Sequence, residues 1–263
     1  MGQIPSAHMC RYAWIARATV APGMCDVPKR GVAMSSESIE FLGATESGPV
    51  SAILDRPDSA SALMVLGHGS GSTMRVPFLA GLSAALVSAG VATFRFEYPY
   101  SQHPDFVPYT DMPMDEPGVL VSTIRAAVAT AAGATPDLPL TVGGHSVSGY
   151  LASIENAESA MPNVRGVIML GFPLKGDMER AAHLGTGTTP LLFVQGTVDS
   201  LGDADQIQQV VSSIGTRATL RLIDAAGHGF SVPDRPDEDV YKETAGYIAT
   251  WIERVVLEQP NAT

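Results

Sequence analysis

A chain of 263 residues, 45% of them hydrophobic, has the material for one large α/β domain or two small ones, with a sizeable core. Its formal charge of −11 argues against nucleic acid and anionic membranes as partners and is read as a solubility feature. No uninterrupted apolar run approaches the roughly 18 residues of a membrane-spanning helix. The only cysteines, Cys10 and Cys25, exclude a disulfide framework for the core and any Cys/His metal spacing.

Residues 1–35 hold both cysteines, four methionines and three prolines without a clear period. Arg11 and Arg17 interrupt the one apolar stretch that resembles a secretion signal. The segment is read as an irregular extension, with Met34 as an alternative start and a lid or dimer arm as an alternative role. The cysteines are read as free thiols in a reducing cytoplasm, the expected location; a Cys10–Cys25 bridge is the other option. From Ser38 the pattern becomes regular. Stretches 38–42 and 50–54 read as an edge hairpin. Residues 62–66 form a short apolar run that suits a buried strand and ends in His68-Gly-Ser-Gly-Ser72. Pro77 opens a helix that carries Phe78, Leu79, Leu82 and Leu86 on one face and stops at Gly90. A strand follows over 91–96.

Residues 98–117 contain five prolines and read as a long irregular loop of functional type. The pattern then predicts a helix from Pro117 to Ala132 with Gly133 as its stop. Next come a strand over 140–142 and a helix with Leu151 and Ile154 facing inward. A strand over 164–170, an irregular segment over 171–189 and a strand over 190–194 follow. A helix bearing Ile207, Val210, Val211 and Ile214 precedes a strand over 218–223. An amphipathic helix over about 238–257 closes the chain. Strands alternating with helices from residue 62 onward predict a doubly wound, mostly parallel sheet of about seven to eight strands with helices on both faces. The boundaries expected are an extension over 1–35, one domain over 36–258 and a tail over 259–263.

The chemistry centres on Gly144-His-Ser-Val-Ser148, a sharp strand-to-helix turn with Ser146 at its tip. A serine there needs strained dihedrals and small neighbours two residues away on either side. The turn exposes the hydroxyl at a helix N-terminus, where negative charge is favoured. Asp199 and His228 each follow a predicted strand, 53 and then a further 29 residues along, so all three groups fall on one sheet edge. A serine hydroxyl is a poor nucleophile until a neutral imidazole takes its proton. A carboxylate on the far ring nitrogen fixes the tautomer and stabilises the imidazolium. His145 is read as pointing away from Ser146, His68 as structural, Asp224 as a turn residue, Asp203 and Asp205 as helix-start acids, and Asp177 as a weak alternative acid. Arg95 is read as a structural ion pair, for example with Glu97, although it and Arg75 have the charge to bind a substrate carboxylate.

With His68-Gly-Ser-Gly, Tyr98-Pro-Tyr, Gly144-His-Ser-Val-Ser, Phe193-Val-Gln-Gly-Thr-Val-Asp199 and Asp224-Ala-Ala-Gly-His-Gly-Phe230 in view, the chain resembles the α/β-hydrolase superfamily over about residues 36–258. It looks closest to the small capless members related to dienelactone hydrolases, in a subgroup that also includes chromatin-associated regulatory subunits. It departs from them in having serine rather than cysteine as nucleophile, and Ser148 where glycine is usual. The resemblance implies an oxyanion hole from the backbone N–H of Val147 and of Ser70 or Gly69. It also implies a serine carboxylesterase acting on a small-molecule ester through an acyl-enzyme, with no cofactor and no metal, as a monomer or homodimer. Amide or lactone hydrolysis, or a non-catalytic scaffold, are the alternatives. The segment of about twenty residues between the strands near Gly171 and Pro190 is too short for a large cap domain, so short acyl groups are expected. Tyr98, Tyr100, Phe106, Tyr109 and Phe172 are expected to form the substrate wall.

Overall fold

The computed structural model describes residues 34–44 and 48–258. The expectations for Cys10, Cys25 and the rest of the extension up to residue 33, and for the tail over 259–263, lie outside the described residues. The sheet begins at Met34. Strands β1 (Met34–Ala44) and β2 (Gly48–Pro57) form the antiparallel hairpin expected at the sheet edge. The remaining strands are β3 (Ala62–Gly67), β4 (Val91–Phe96), β5 (Leu140–His145), β6 (Val164–Leu170), β7 (Leu191–Gly196) and β8 (Ala218–Ile223). The eight strands lie in the order β1-β2-β4-β3-β5-β6-β7-β8. β2 pairs antiparallel with β4, and every pairing from β4 to β8 is parallel.

Among the described residues four α-helices connect the strands, α1 (Pro77–Ser88), α2 (Pro117–Ala134), α3 (Val147–Glu158) and α4 (Ala204–Ile214), and α5 (Asp237–Trp251) follows β8, continued by a π-helical turn over Ile252–Leu257. The two-residue period of the strands divides the core between the two faces of the sheet. Leu63 and Val65 of β3 pack with Leu120 and Ile124 of α2, Leu151 of α3 and Ile207 of α4. Met64 and Leu66 face the other way, toward Leu79 and Leu82 of α1 and Val240 and Ile248 of α5.

Three local expectations change. α2 runs past Gly133 because Thr135 closes it instead, donating both its N–H and its hydroxyl to the Ala131 carbonyl. Ile154 is half-buried rather than inward-facing. Arg95 pairs with Asp55 of β2 at 2.8 Å and not with Glu97. Burial pushes the Asp55 carboxyl up, but bonds from Ser36, Arg95 and Ser83 outweigh it and hold the group below its usual value. Among the described residues α2 is long and apolar enough to cross a membrane by length and composition. Ser122, Thr123, Arg125 and Thr130 interrupt its run, and Leu120, Ile124, Ala127, Val128 and Ala131 are spent on the core.

Candidate active site

The parallel strands deliver their following loops to one edge, the carboxyl edge of the sheet. β5 ends at His145 and α3 begins at Val147, so Ser146 is the whole turn. Its φ of 52° and ψ of −113° are a left-handed conformation that costs on the order of 1–3 kcal/mol. Two backbone bonds hold it: Ser146 N–H donates to the Leu170 carbonyl at 2.8 Å, and Tyr150 N–H donates to the Ser146 carbonyl at 3.0 Å. The turn also needs Gly144, whose φ is 148°, because a Cβ there would collide with the backbone of Gly67 on β3. The same Gly67–Gly144 register brings the loop after β3 beside the serine.

Ser146, His228 and Asp199 form one hydrogen-bonded chain. The Ser146 Oγ lies 3.0 Å from His228 Nε2, and His228 Nδ1 lies 2.9 and 3.0 Å from the two Asp199 oxygens. A carboxylate only accepts, which assigns the Nδ1 proton and leaves Nε2 to accept from the serine hydroxyl. The Asp199 side chain is wholly buried, whereas that of His228 is 20% exposed. The carboxylate is oriented by two further donors, Leu201 N–H at 2.8 Å and Gln195 Nε2 at 2.7 Å.

Gln195 escaped the sequence reading. It is fully buried near the end of β7, its Oε1 accepting from Phe172 N–H and its Nε2 donating also to the Gly202 carbonyl. The available signal was an amide in an otherwise apolar parallel strand. Gly171, at φ 65°, lies so close that a Cβ would stand 3.2 Å from His228 Nδ1 and 3.3 Å from Asp199 Oδ2.

His145 points away from Ser146, as expected, but it has a structural partner. Its Nε2 donates to the His228 carbonyl at 2.8 Å, and its ring lies 4.8 Å from the His228 ring and 5.3 Å from Phe78. Burial, with the neighbouring His228 adding to it, lowers its pKa to about 4. Burial does the same to His183, which bonds Ser153, again to about 4. In the unfolded chain both rings titrate near 6.5. Between pH 6.5 and 4 the unfolded state therefore binds more protons, and stability falls as pH falls through that window, with no contribution above it. The thermal midpoint is expected to drop from pH 7 to pH 4.5, and His183→Gln to reduce the drop; equal drops in both proteins would contradict this assignment.

Of the groups expected at the oxyanion position, Val147 follows the serine directly and Gly69 lies close to it. Val147 is the first residue of α3, so its N–H has no acceptor within the helix. Gly69 is buried and Ser70 exposed. A Cβ on Gly69 would stand 3.6 Å from the Ser146 Cβ. The expected substrate wall divides. Tyr98 and Phe172 are wholly buried, Tyr98 bonded through its hydroxyl to Ser148 and Phe172 packed on Tyr150 and Phe193, so both leave the wall. Tyr100 is buried too, its hydroxyl donating to the Gly69 carbonyl at 3.3 Å. Phe106 stays half-buried, edge-on to Tyr100, and Tyr109 is 73% exposed, its N–H donating to the Gly71 carbonyl. Asp203 caps α4 and Asp177 caps a short 3-10 turn over Met178–Gly185, so neither competes with Asp199. Among the described residues no three His, Cys, Asp or Glu side chains converge as metal ligands.

A family model described as an alpha/beta hydrolase domain matches residues 60–255. The fold is similar to the dienelactone hydrolase of Anabaena variabilis, at 19% identity over 84% of this chain and 98% of that one, with a TM-score of 0.65. It is similar also to a serine hydrolase without a lid from Xanthomonas campestris, at 16% identity over 86% and 97% of the two chains, TM-score 0.63. Est1E from Butyrivibrio proteoclasticus, solved with ferulic acid bound, matches at 16% identity over 78% and 96%, TM-score 0.61.

Proposed function

Because this chain belongs to the alpha/beta hydrolase family, we propose that it is a serine hydrolase that cleaves carboxylic esters through an acyl-enzyme on Ser146. The observation that carries the reading is the unbroken chain from the Ser146 hydroxyl through His228 to a buried Asp199. Ser146 Oγ attacks the ester carbonyl while His228 Nε2 takes its proton, and Asp199 balances the imidazolium that forms. The tetrahedral oxyanion is held by the N–H of Val147 and a second N–H from Ser70 or Gly69, each contributing roughly 3 kcal/mol in the transition state. His228 then gives its proton to the departing alkoxide, which leaves as the alcohol. Water, deprotonated by the same nitrogen, attacks the acyl carbon and returns Ser146 as a free hydroxyl.

Short acyl groups suit the site. The segment between β6 and β7 carries only the short 3-10 turn over Met178–Gly185, so nothing there has the bulk of a cap that would enclose a long chain. With p-nitrophenyl esters from acetate to decanoate, kcat/KM is expected to be highest at the short end. A maximum at decanoate would contradict the short-chain reading, and turnover of amides or lactones in place of esters would move the substrate class while keeping the nucleophile.

A further inference from the structure

Ser148 occupies the second small position of the elbow motif, where it is 1% exposed. It fits because Gly67 leaves the space, and a Cβ on Gly67 would collide with the Ser148 hydroxyl. The buried hydroxyl has two partners, the His68 carbonyl at 2.5 Å and the Tyr98 hydroxyl at 2.7 Å. A carbonyl only accepts, so the single Ser148 proton goes to His68, and Tyr98 must be the donor to Ser148. Burial raises the Tyr98 phenol far above its usual value and keeps that proton in place.

The His68 carbonyl shares a rigid plane with the Gly69 N–H. Fixing the oxygen therefore fixes the direction of that N–H. The next peptide is fixed in the same way: the Gly69 carbonyl accepts from His68 Nδ1 at 2.9 Å and from the Tyr100 hydroxyl at 3.3 Å, which sets the Ser70 N–H. Both peptides that supply the expected second oxyanion donor are thus tied to buried side chains, and one tie runs from the nucleophile's own helix.

The geometry points to Ser148, held by Tyr98, as a positioning residue that locks the oxyanion loop to the elbow through the His68–Gly69 peptide. The inference rests on the reading of Ser146 as nucleophile and of this loop as its oxyanion partner. Locking of this kind acts on the transition state and leaves ground-state binding alone, so it belongs to kcat and not to KM.

The test compares native protein, Ser148→Ala, Tyr98→Phe and the double variant by ester kinetics, thermal unfolding and hydrogen exchange of the segment 67–72. Ser148→Ala is expected to lower kcat by about tenfold at constant KM, as a small misplacement of a catalytic group does, and to speed exchange in 67–72 while β6 is unchanged. It also strands the Tyr98 hydroxyl without a partner. The double variant removes that group, so its unfolding midpoint should recover while kcat stays low, which separates positioning from stability. Tyr98→Phe alone leaves Ser148 free to donate and should cost less. Native kcat in Ser148→Ala, or kcat recovering together with stability in the double variant, would overturn the proposal. If the native protein hydrolyses no ester, the esterase reading fails and the exchange result alone decides: faster exchange in Ser148→Ala supports the lock, and unchanged exchange ends it.

Discussion

Replacing Ser146 with alanine is expected to lower turnover of p-nitrophenyl esters by roughly 10⁴-fold or more. The size follows from how the three groups act together. His228 and Asp199 have nothing to activate once the hydroxyl is gone, so their contribution disappears along with that of the nucleophile. What remains is the backbone N–H of Val147 and the loop after β3, acting on attack by water. Removing the imidazole with His228→Ala should therefore cost about as much as the serine, and the pair together little more than either. The folded state should tolerate the serine change, because the strained φ of 52° at this position is held by backbone bonds to Leu170 and Tyr150 that alanine keeps. Steady-state kinetics on both variants, with thermal unfolding as the control, decide the point. Activity equal to native in Ser146→Ala would remove it from the mechanism.

Asp199→Asn is expected to cost roughly 10⁴-fold in kcat with a much smaller change in KM. The surroundings of the carboxylate explain why an isosteric amide is so damaging. Leu201 N–H and Gln195 Nε2 both donate to it, as does His228 Nδ1. Three donors demand an acceptor on every side, and asparagine has one oxygen. If that oxygen faces Leu201, the new NH₂ confronts the Gln195 amide and the imidazole. The imidazole then relieves the clash by moving its proton to Nε2, the tautomer that has no lone pair for the serine proton. Gln195 cannot turn to help, because its own oxygen is bound to Phe172 N–H and its nitrogen to the Gly202 carbonyl. A loss below about tenfold would show that Asp199 does not set the tautomer.

The alternation of strand and helix made most of the fold legible, and with it the placement of Ser146, Asp199 and His228, because a parallel sheet sends the loop after every strand to one edge. Less legible was anything decided by a partner far away in sequence. Tyr98 and Phe172 sit in stretches rich in proline and turns, where an aromatic ring faces a pocket or the core with equal reason; the choice is made by Ser148 in one case and by Tyr150 and Phe193 in the other. Arg95 on β4 and Glu97 just past its end stand two apart in sequence and look like a pair, but β2 places Asp55 nearer to the guanidinium. Gly133 has the form of a helix stop, yet the cap is provided by the hydroxyl of Thr135. Ser148 stands where glycine is usual, and only the space left by the missing side chain of Gly67 explains how it fits.

The most direct test of Ser146 as the nucleophile is to expose the protein to a fluorophosphonate ester and locate the adduct by peptide mass mapping. An activated serine displaces fluoride and keeps the phosphonyl group as a stable tetrahedral ester, whatever the natural substrate. One adduct per chain is expected, on Ser146, with labelling slowed severely in Asp199→Asn and abolished in Ser146→Ala. Hydrolysis that continues with Ser146 unlabelled, or an adduct of equal yield on another residue, would contradict it.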